Sequence, residues 1–332
     1  MSEEPVTSLK SAVFSAMAEK GVRIIRTARE EPCNTDIVID ECNMAPARQC
    51  LFTAAAAHGW RLHKTETLCT PQHGRAYHFH SIGADETDIR LHRFCCVSSG
   101  AGNEGFFGRL LTGLRAAWQR PGLILAIEGT DGSGKTTIID GMRRVLETSY
   151  PGESIVYYHW RPMFIASEIK KDAAPVTVCA EPHKKRPHGR VKSLLKLAVC
   201  TLDYLFGYWC KVRWQAASGK IVVFDRYYYD FYLDQIRYRL QVSHRWLRFF
   251  QFFVPEPDIS FALTGNAEAI WQRKKEMPPE EVQNQIDTLN RHKALFAHVV
   301  TVDVVRPIPE VVGRVSAEVL QALAMHYPDF GK

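Results

Sequence analysis

The stretch Leu123–Thr137, LILAIEGTDGSGKTT, decides the fold of this chain. The apolar run Leu123 to Ile127 has the length and character of a buried strand. It leads into Gly129-Thr130-Asp131-Gly132-Ser133-Gly134-Lys135-Thr136. That is G-x-x-x-x-G-K-T directly after a strand, the spacing of a loop that cradles phosphate. The glycines let the backbone curl so that successive N–H groups point into one concavity, which favours anionic oxygens. Apolar positions at helical spacing from Thr137 to Leu146 place a helix N-terminus there, and its positive end adds to the attraction. In such a loop Lys135 reaches the β and γ phosphates and the Thr136 hydroxyl binds Mg²⁺. The expected ligand is a nucleoside triphosphate held by residues Gly129 through Thr137.

Downstream, Ser154–Trp160, Ile221–Asp225, Ile259–Leu263 and Val299–Val304 read as further apolar strands with helical segments between them. Strands alternating with helices predict a parallel, helix-covered sheet. Ligands of such sheets lie at the carboxyl ends of the strands. At one such end stands Asp225-Arg226-Tyr227. An acid beside the phosphate loop can hold Mg²⁺ or its waters, and Arg226 can neutralise phosphoryl charge. The run Leu194 to Trp214 contains Lys196, Asp203 and Lys211, so it predicts a packed helix rather than a membrane span.

Upstream, the pattern is helix (Ser8–Lys20), two strands (Val22–Thr27, Asp36–Asp40), an alanine-rich helix (Met44–His58) and three strands (Trp60–Thr67, Ala76–Ile82, Asp88–Phe94). This is a small α+β unit. The glycine-rich stretch Val97–Gly108 suits a boundary, and Leu110–Gln119 reads as a helix. The expected division is residues 1–105, a linker helix at 106–120, and a second domain at 121–332. His58, His63, Cys69, His73, His78, His80 and His92 match none of the usual zinc-ligand spacings, although His78 and His80 share a strand face.

Composition agrees with an ordinary globular protein: 332 residues, 46% hydrophobic, 23% charged and a formal net charge of +6, a weak signal for nucleic acid. Nine scattered cysteines without a C-x-x-C pair argue for reduced thiols and a cytoplasmic location. MSEEPVTSLK lacks the apolar core of a signal peptide.

The motifs carry two family resemblances. Glu128 to Thr137 together with Gly219-Lys220-Ile221-Val222-Val223-Phe224-Asp225-Arg226-Tyr227 resembles the thymidylate kinase family of P-loop kinases. Pro257-Asp258-Ile259 opening a strand, and Arg273-Lys274-Lys275 on the helix after it, fit the same family over about residues 121–325. The resemblance implies an α/β P-loop kinase fold with a five-stranded parallel sheet, ATP, Mg²⁺ and a mobile lid. Lys135, Asp225, Arg226 and Arg273 would then carry catalysis, Thr136 and Asp225 the metal, and Arg306 would flank the adenine. On the acceptor side the family's Arg-Glu-Pro turn is replaced by His159-Trp160-Arg161-Pro162, and D-R-Y continues as Tyr228-Tyr229-Asp230. The acceptor candidates are Asp131, Trp160, Arg161, Tyr227, Tyr228 and Asp230, serving a small-molecule acceptor. A nucleoside monophosphate is the default implied by the family. A sugar or glycan hydroxyl and a non-catalytic ATP-binding scaffold stay open, as does a homodimer.

The upstream unit resembles the minimal nucleotidyltransferase-like domains that precede kinase domains in some surface-polysaccharide proteins. Those present carboxylates in a G-S-x-D-x-D stretch, whereas here Asn34-Thr35-Asp36-Ile37-Val38 keeps only Asp36, and Arg90 stands where a third acid belongs. The domain is therefore expected to be catalytically degenerate. Two basic or aromatic stretches have open roles. His183–Lys192 reads as a surface loop or as an anion clamp, and Arg237–Phe253 as a packed seam or a peripheral membrane contact.

Overall fold

Two sheets organise the chain. The computed structural model describes residues 4–22, 24–31, 34–39, 44–69, 73–84, 87–98, 121–147, 149–150, 152–162, 187–273 and 278–326. The predicted linker helix, residues 183–186 of the basic run, Lys274 and Lys275 lie outside these residues. The chain divides into one compact unit of Met1–Pro121, Met142–Gly152 and Ser316–Lys332, and a second of Gly122–Gly141 and Glu153–Val315.

The first unit contains α1 (Glu4–Glu19), β1 (Ile24–Glu31), β2 (Asn34–Ile39), α2 (Met44–Ala57), β3 (Arg61–Cys69), β4 (His73–Ile82) and β5 (Ile89–Ser98). Its sheet runs β1-β2-β5-β4-β3, antiparallel except where β2 meets β5. Leu9, Val13 and Met17 recur at helical spacing on α1 and are fully buried with Leu51, Phe79 and Phe94. Side chains alternate along β4, so Tyr77 and Phe79 meet Phe52 edge-on while His78 and His80 face the other way. There His80 Nδ1 lies 3.3 Å from His63 Nδ1, and all three histidines are buried.

Burial holds His80 down to about 4, with help from the Arg61 charge, and holds His63 well below its ordinary value, reinforced by its histidine neighbours. The unfolded chain takes up these protons near pH 6.5, whereas the folded one refuses them until about pH 4. Stability is therefore complete above pH 6.5 and falls as the pH is lowered toward 4, by about 3 kcal/mol for His80. The urea midpoint should drop accordingly between neutral pH and pH 4.5, with a flatter slope in His80→Gln, which cannot charge. A midpoint indifferent to pH over that range would contradict the buried neutral cluster.

The second unit is an α/β domain with five parallel strands: β6 (Leu123–Gly129), β7 (Ile155–Tyr158), β8 (Ile221–Asp225), β9 (Ile259–Thr264) and β10 (Val299–Asp303). Their order is β10-β9-β6-β8-β7, and every neighbouring pair is parallel. This is the sheet of a P-loop kinase fold. Strands β6 and β8 are buried throughout, which explains why they read as unbroken apolar runs. Asp258 fixes the β6–β9 register: its carboxylate accepts the Ile124 N–H at 2.8 Å, and its own N–H donates to Ile124 O at 2.8 Å. From β6 the chain goes to the edge strand β7, returns to β8 beside β6, and then crosses to β9 and β10 on the other side. The switch point of the sheet therefore falls at the end of β6, where the phosphate loop begins.

The helices are α3 (Lys135–Leu146), α4 (Arg190–Gly207), α5 (Arg213–Ala217), the short α6 (Asp230–Leu233), α7 (His244–Gln251), α8 (Ala267–Arg273), α9 (Pro279–His292) and α10 (Ile308–Met325). A π-helical segment, Tyr208–Val212, carries α4 into α5 without a break in helical dihedrals. The packed helix predicted for Leu194–Trp214 exists, but only one face is packed. Leu197, Cys200, Tyr204, Tyr208 and Val212 are buried, whereas the opposite stripe is exposed.

Candidate phosphate-binding site

The loop after β6 has the backbone that its glycines allow. Gly134 has φ +84, a conformation that strains any residue with a Cβ. Gly129 is needed for space instead, since a Cβ there would lie 2.8 Å from Ser133 Oγ and 2.9 Å from Leu263 Cβ. Helix α3 starts at Lys135, and its first-turn N–H groups have no intrahelical acceptor. The hydroxyls of Thr130 and Ser133 are buried without a hydrogen-bond partner among the described residues. A cradle of unpaired donors suits an oxyanion.

Lys135 is buried and curls back, donating from Nζ to Gly129 O at 2.8 Å and Thr130 O at 2.9 Å. Burial lowers it to about 8, and the Arg226 charge pushes the same way. Thr136 and Thr137 are exposed on the first turn of α3.

The end of β8 lies beside the loop because β6 and β8 pair in register, Ile127 opposite Asp225. Arg226 takes φ +75, which costs a non-glycine residue about 1–3 kcal/mol. The turn lets its N–H donate to Ile127 O at 3.0 Å. Its guanidinium bonds both oxygens of Asp230, at 3.0 and 3.1 Å, and also Asp131 in the phosphate loop. Arg237 bonds the other oxygen of Asp131, and its Nε donates to Asp234 at 3.3 Å. Burial alone would raise the Asp131 carboxyl, but Arg226 and Arg237 outweigh it and bring it to about 2. The Tyr238 hydroxyl completes the cluster by donating to Asp230.

Asp225 accepts from Tyr157 OH at 2.7 Å on Oδ2, with the exposed His159 ring nitrogen 3.4 Å away. Burial pushes this carboxyl up, but the His159 hydrogen bond, Lys135 and Tyr157 together hold it below its ordinary value. Its Oδ1 is buried with no hydrogen-bond partner among the described residues. An ionised carboxylate oxygen at the end of the strand that pairs with β6 is hard-donor chemistry that fits Mg²⁺. Among the described residues no group of three His, Cys, Asp or Glu forms a metal site by itself. Mg²⁺ commonly needs only one or two protein oxygens beside phosphate and water.

Trp160 and Arg161 form the other wall. Trp160 has φ +106, and Tyr204 OH donates to its carbonyl at 2.9 Å. The indole stacks on Tyr238 at 4.6 Å, and the Arg161 guanidinium lies 4.9 Å over it. Arg161 also pairs with the fully buried Asp203 at 3.1 Å. Asp131, Arg226, Asp230, Tyr238, Trp160 and Arg161 are thus one connected network.

Other expected site residues lie elsewhere. Tyr227 and Tyr228 are buried core residues, donating to Pro255 O at 2.6 Å and Leu247 O at 2.9 Å, so their rings offer no free face for stacking on a ligand. Arg273 donates to Val304 O at 2.8 Å rather than reaching the phosphate loop. Arg306 is exposed and lies 4.0 Å from Glu310. Five residues of the site were not anticipated: Glu128, Tyr157, His159, Arg237 and Tyr238. Glu128 Oε1 accepts the Tyr227 N–H at 2.6 Å, and burial together with the Asp230 charge raises its carboxyl well above the ordinary range. Its signal was its place, an acid ending an otherwise apolar strand. Arg237 carried no signal of its link to the loop, because Asp131 lies far away in sequence.

No family model and no curated protein sequence matches the chain. Among solved structures, the chain is similar to the crystal structure of thymidylate kinase from Ehrlichia chaffeensis, at 18% identity and a TM-score of 0.36. The match covers 61% of this chain and 98% of that one.

Proposed function

We propose that the second unit is an ATP- and Mg²⁺-dependent phosphotransferase that passes the γ-phosphoryl group of ATP to a nucleoside monophosphate of dTMP type. The observation that carries this reading is Arg226, which is anchored by Asp230 at the end of β8 and bonded to Asp131 of the phosphate loop. It stands where the donor's phosphates and an acceptor would meet. Lys135 would leave its two carbonyl partners for the β and γ phosphates, and the N–H groups of the loop would bind the remaining oxygens. Arg226 would stabilise the equatorial oxygens as the bond from γ-phosphorus to the bridging oxygen breaks and that to the acceptor oxygen forms. Thr136 and Asp225 would hold Mg²⁺, whose charge would offset that of the phosphates.

The acceptor follows from the charges. A nucleoside monophosphate arrives ionised and needs positioning and neutralisation but no base. Arg226 and Arg237 supply cations. Asp131 is held near 2 by the two arginines, and Asp225 is also lowered, so both are weak bases toward a hydroxyl. One observation favours the second reading, a sugar or glycan hydroxyl acceptor: the exposed His159 beside Asp225 at the carboxyl end of β7.

The first unit is assigned a packing or substrate-docking role. Where the nucleotidyltransferase pattern has acids, Val38 is apolar and Arg90 donates to Asp88 at 3.1 Å.

A screen of ADP formation across nucleoside monophosphates and sugars tests the reading. ADP release should depend on dTMP and fall about 10²-fold or more in Asp225→Asn, with ATP binding retained. Indifference to every nucleoside monophosphate would remove the proposed acceptor, and turnover with a sugar would establish the second reading. ATP binding without turnover on any acceptor, unchanged in Arg226→Ala, would leave an ATP-binding scaffold.

A further inference from the structure

The exposed side of the long helix remains unexplained by any of this chemistry. Val191, Leu195, Val199, Leu202, Phe206 and Trp209 follow one another at intervals of three and four, and all are exposed, Val191 at 82% and Leu195 at 66%. On α7 and the turn after it, Trp246, Phe249, Phe252 and Phe253 are exposed as well, Phe252 at 85%. The two helices pack against one another. Of the sixteen large hydrophobic side chains exposed among the described residues, twelve lie between 191 and 253, so the exposure is concentrated rather than scattered. Scattered apolar residues are ordinary on protein surfaces, and a concentration of this kind marks an interaction surface.

The exposed acidic and basic side chains on the segments that carry it are of one sign. Arg190, Lys192, Lys211, Arg245 and Arg248 are exposed on the same segments. The acids between residues 187 and 253 are Asp203, Asp225, Asp230 and Asp234, and every one is buried. The face therefore presents Trp, Phe and Leu flanked by cations, with no exposed carboxylate between.

We infer that the exposed face of α4–α5, together with α7, docks on an anionic membrane surface. Aromatic side chains seat at the level of the headgroups, and flanking Lys and Arg are drawn to anionic lipid. No described helix is long and apolar enough to cross a membrane, so the contact is peripheral. A second copy fits less well. An isologous interface brings the same patch against itself, and here it would oppose cation to cation. The inference does not depend on the proposed phosphoryl transfer.

Co-sedimentation of the full chain with vesicles tests it. Phosphatidylcholine vesicles holding about one third phosphatidylglycerol should bind the protein about ten-fold or more tightly than pure phosphatidylcholine, and raising the salt should weaken the binding. Tryptophan emission should shift to the blue as Trp209 and Trp246 enter the interface. Arg245→Glu/Arg248→Glu should cost about ten-fold in partitioning, and Phe206→Ser/Trp209→Ser about as much. All four positions are exposed or partly so, and the comparison of lipids needs no variant. Failure to bind anionic vesicles, or equal binding to both kinds, would overturn the inference. So would a concentration-dependent dimer that Phe206→Ser/Trp209→Ser abolishes, which would give the face to a second copy.

Discussion

Arg226→Ala should lower the rate of phosphoryl transfer by about 10²–10³-fold and destabilise the second unit by roughly 3–5 kcal/mol. The two losses have separate causes. In catalysis the guanidinium would be aimed at charge that develops on the transferring group, and such a preorganised donor contributes most where water is excluded. In the fold it is the common partner of Asp230 and Asp131, both drawn from the surroundings of a buried turn. Removing it leaves Asp230, itself buried, with Tyr238 alone among these partners, and leaves Asp131 to Arg237. A buried carboxylate stripped of its cation is far costlier than the intact pair is stabilising. Arg226→Lys should separate the effects. It restores a charge but not the fork that bonds Asp230 through one nitrogen and Asp131 through the other, so the urea midpoint should recover more than the turnover number does. An alanine variant that unfolds at the wild-type midpoint would show that the network in this structure is not the one that holds the turn.

Lys135→Met should behave differently, with a loss of about 10³-fold in turnover against about 1–2 kcal/mol in stability. Methionine keeps the apolar stem in its buried place, and the Nζ partners it abandons are two backbone carbonyls of the loop, Gly129 O and Thr130 O. What would be lost is the cation proposed for the β and γ phosphates. The variant should also lose most of the thermal stabilisation that ATP confers on the wild type, about 2.7 kcal/mol at a hundred-fold excess over Kd. Normal stabilisation of Lys135→Met by ATP, with normal turnover, would mean that the loop does not bind the triphosphate as proposed.

These two variants also mark what was legible in the chain. The loop can be read residue by residue because its chemistry is local. Glycines at set intervals, a lysine and a threonine, all within one turn between a strand and a helix, need no partner from elsewhere to be meaningful. The parallel sheet was legible for a similar reason: strands buried on both faces become continuous apolar runs, as in Leu123–Ile127 and Ile221–Phe224. The aromatic triplet after Arg226 was misleading. Tyr227 and Tyr228 look like stacking surfaces in sequence, yet the turn at φ +75 sends both into the core, their hydroxyls satisfied by backbone carbonyls. An amphipathic tyrosine can end on either side of a wall, and only the backbone angle decides which.

By itself, then, the sequence determined that a G-x-x-x-x-G-K-T loop follows an apolar strand of a parallel sheet, because local spacing and apolar periodicity encode both. The tertiary structure alone decided what surrounds that loop. Asp131, Asp230 and Arg237 meet Arg226 because β8 lies beside β6 in register and the chain beyond it folds back over the loop. Charge pairing of this kind acts through space, and no interval along the chain records it.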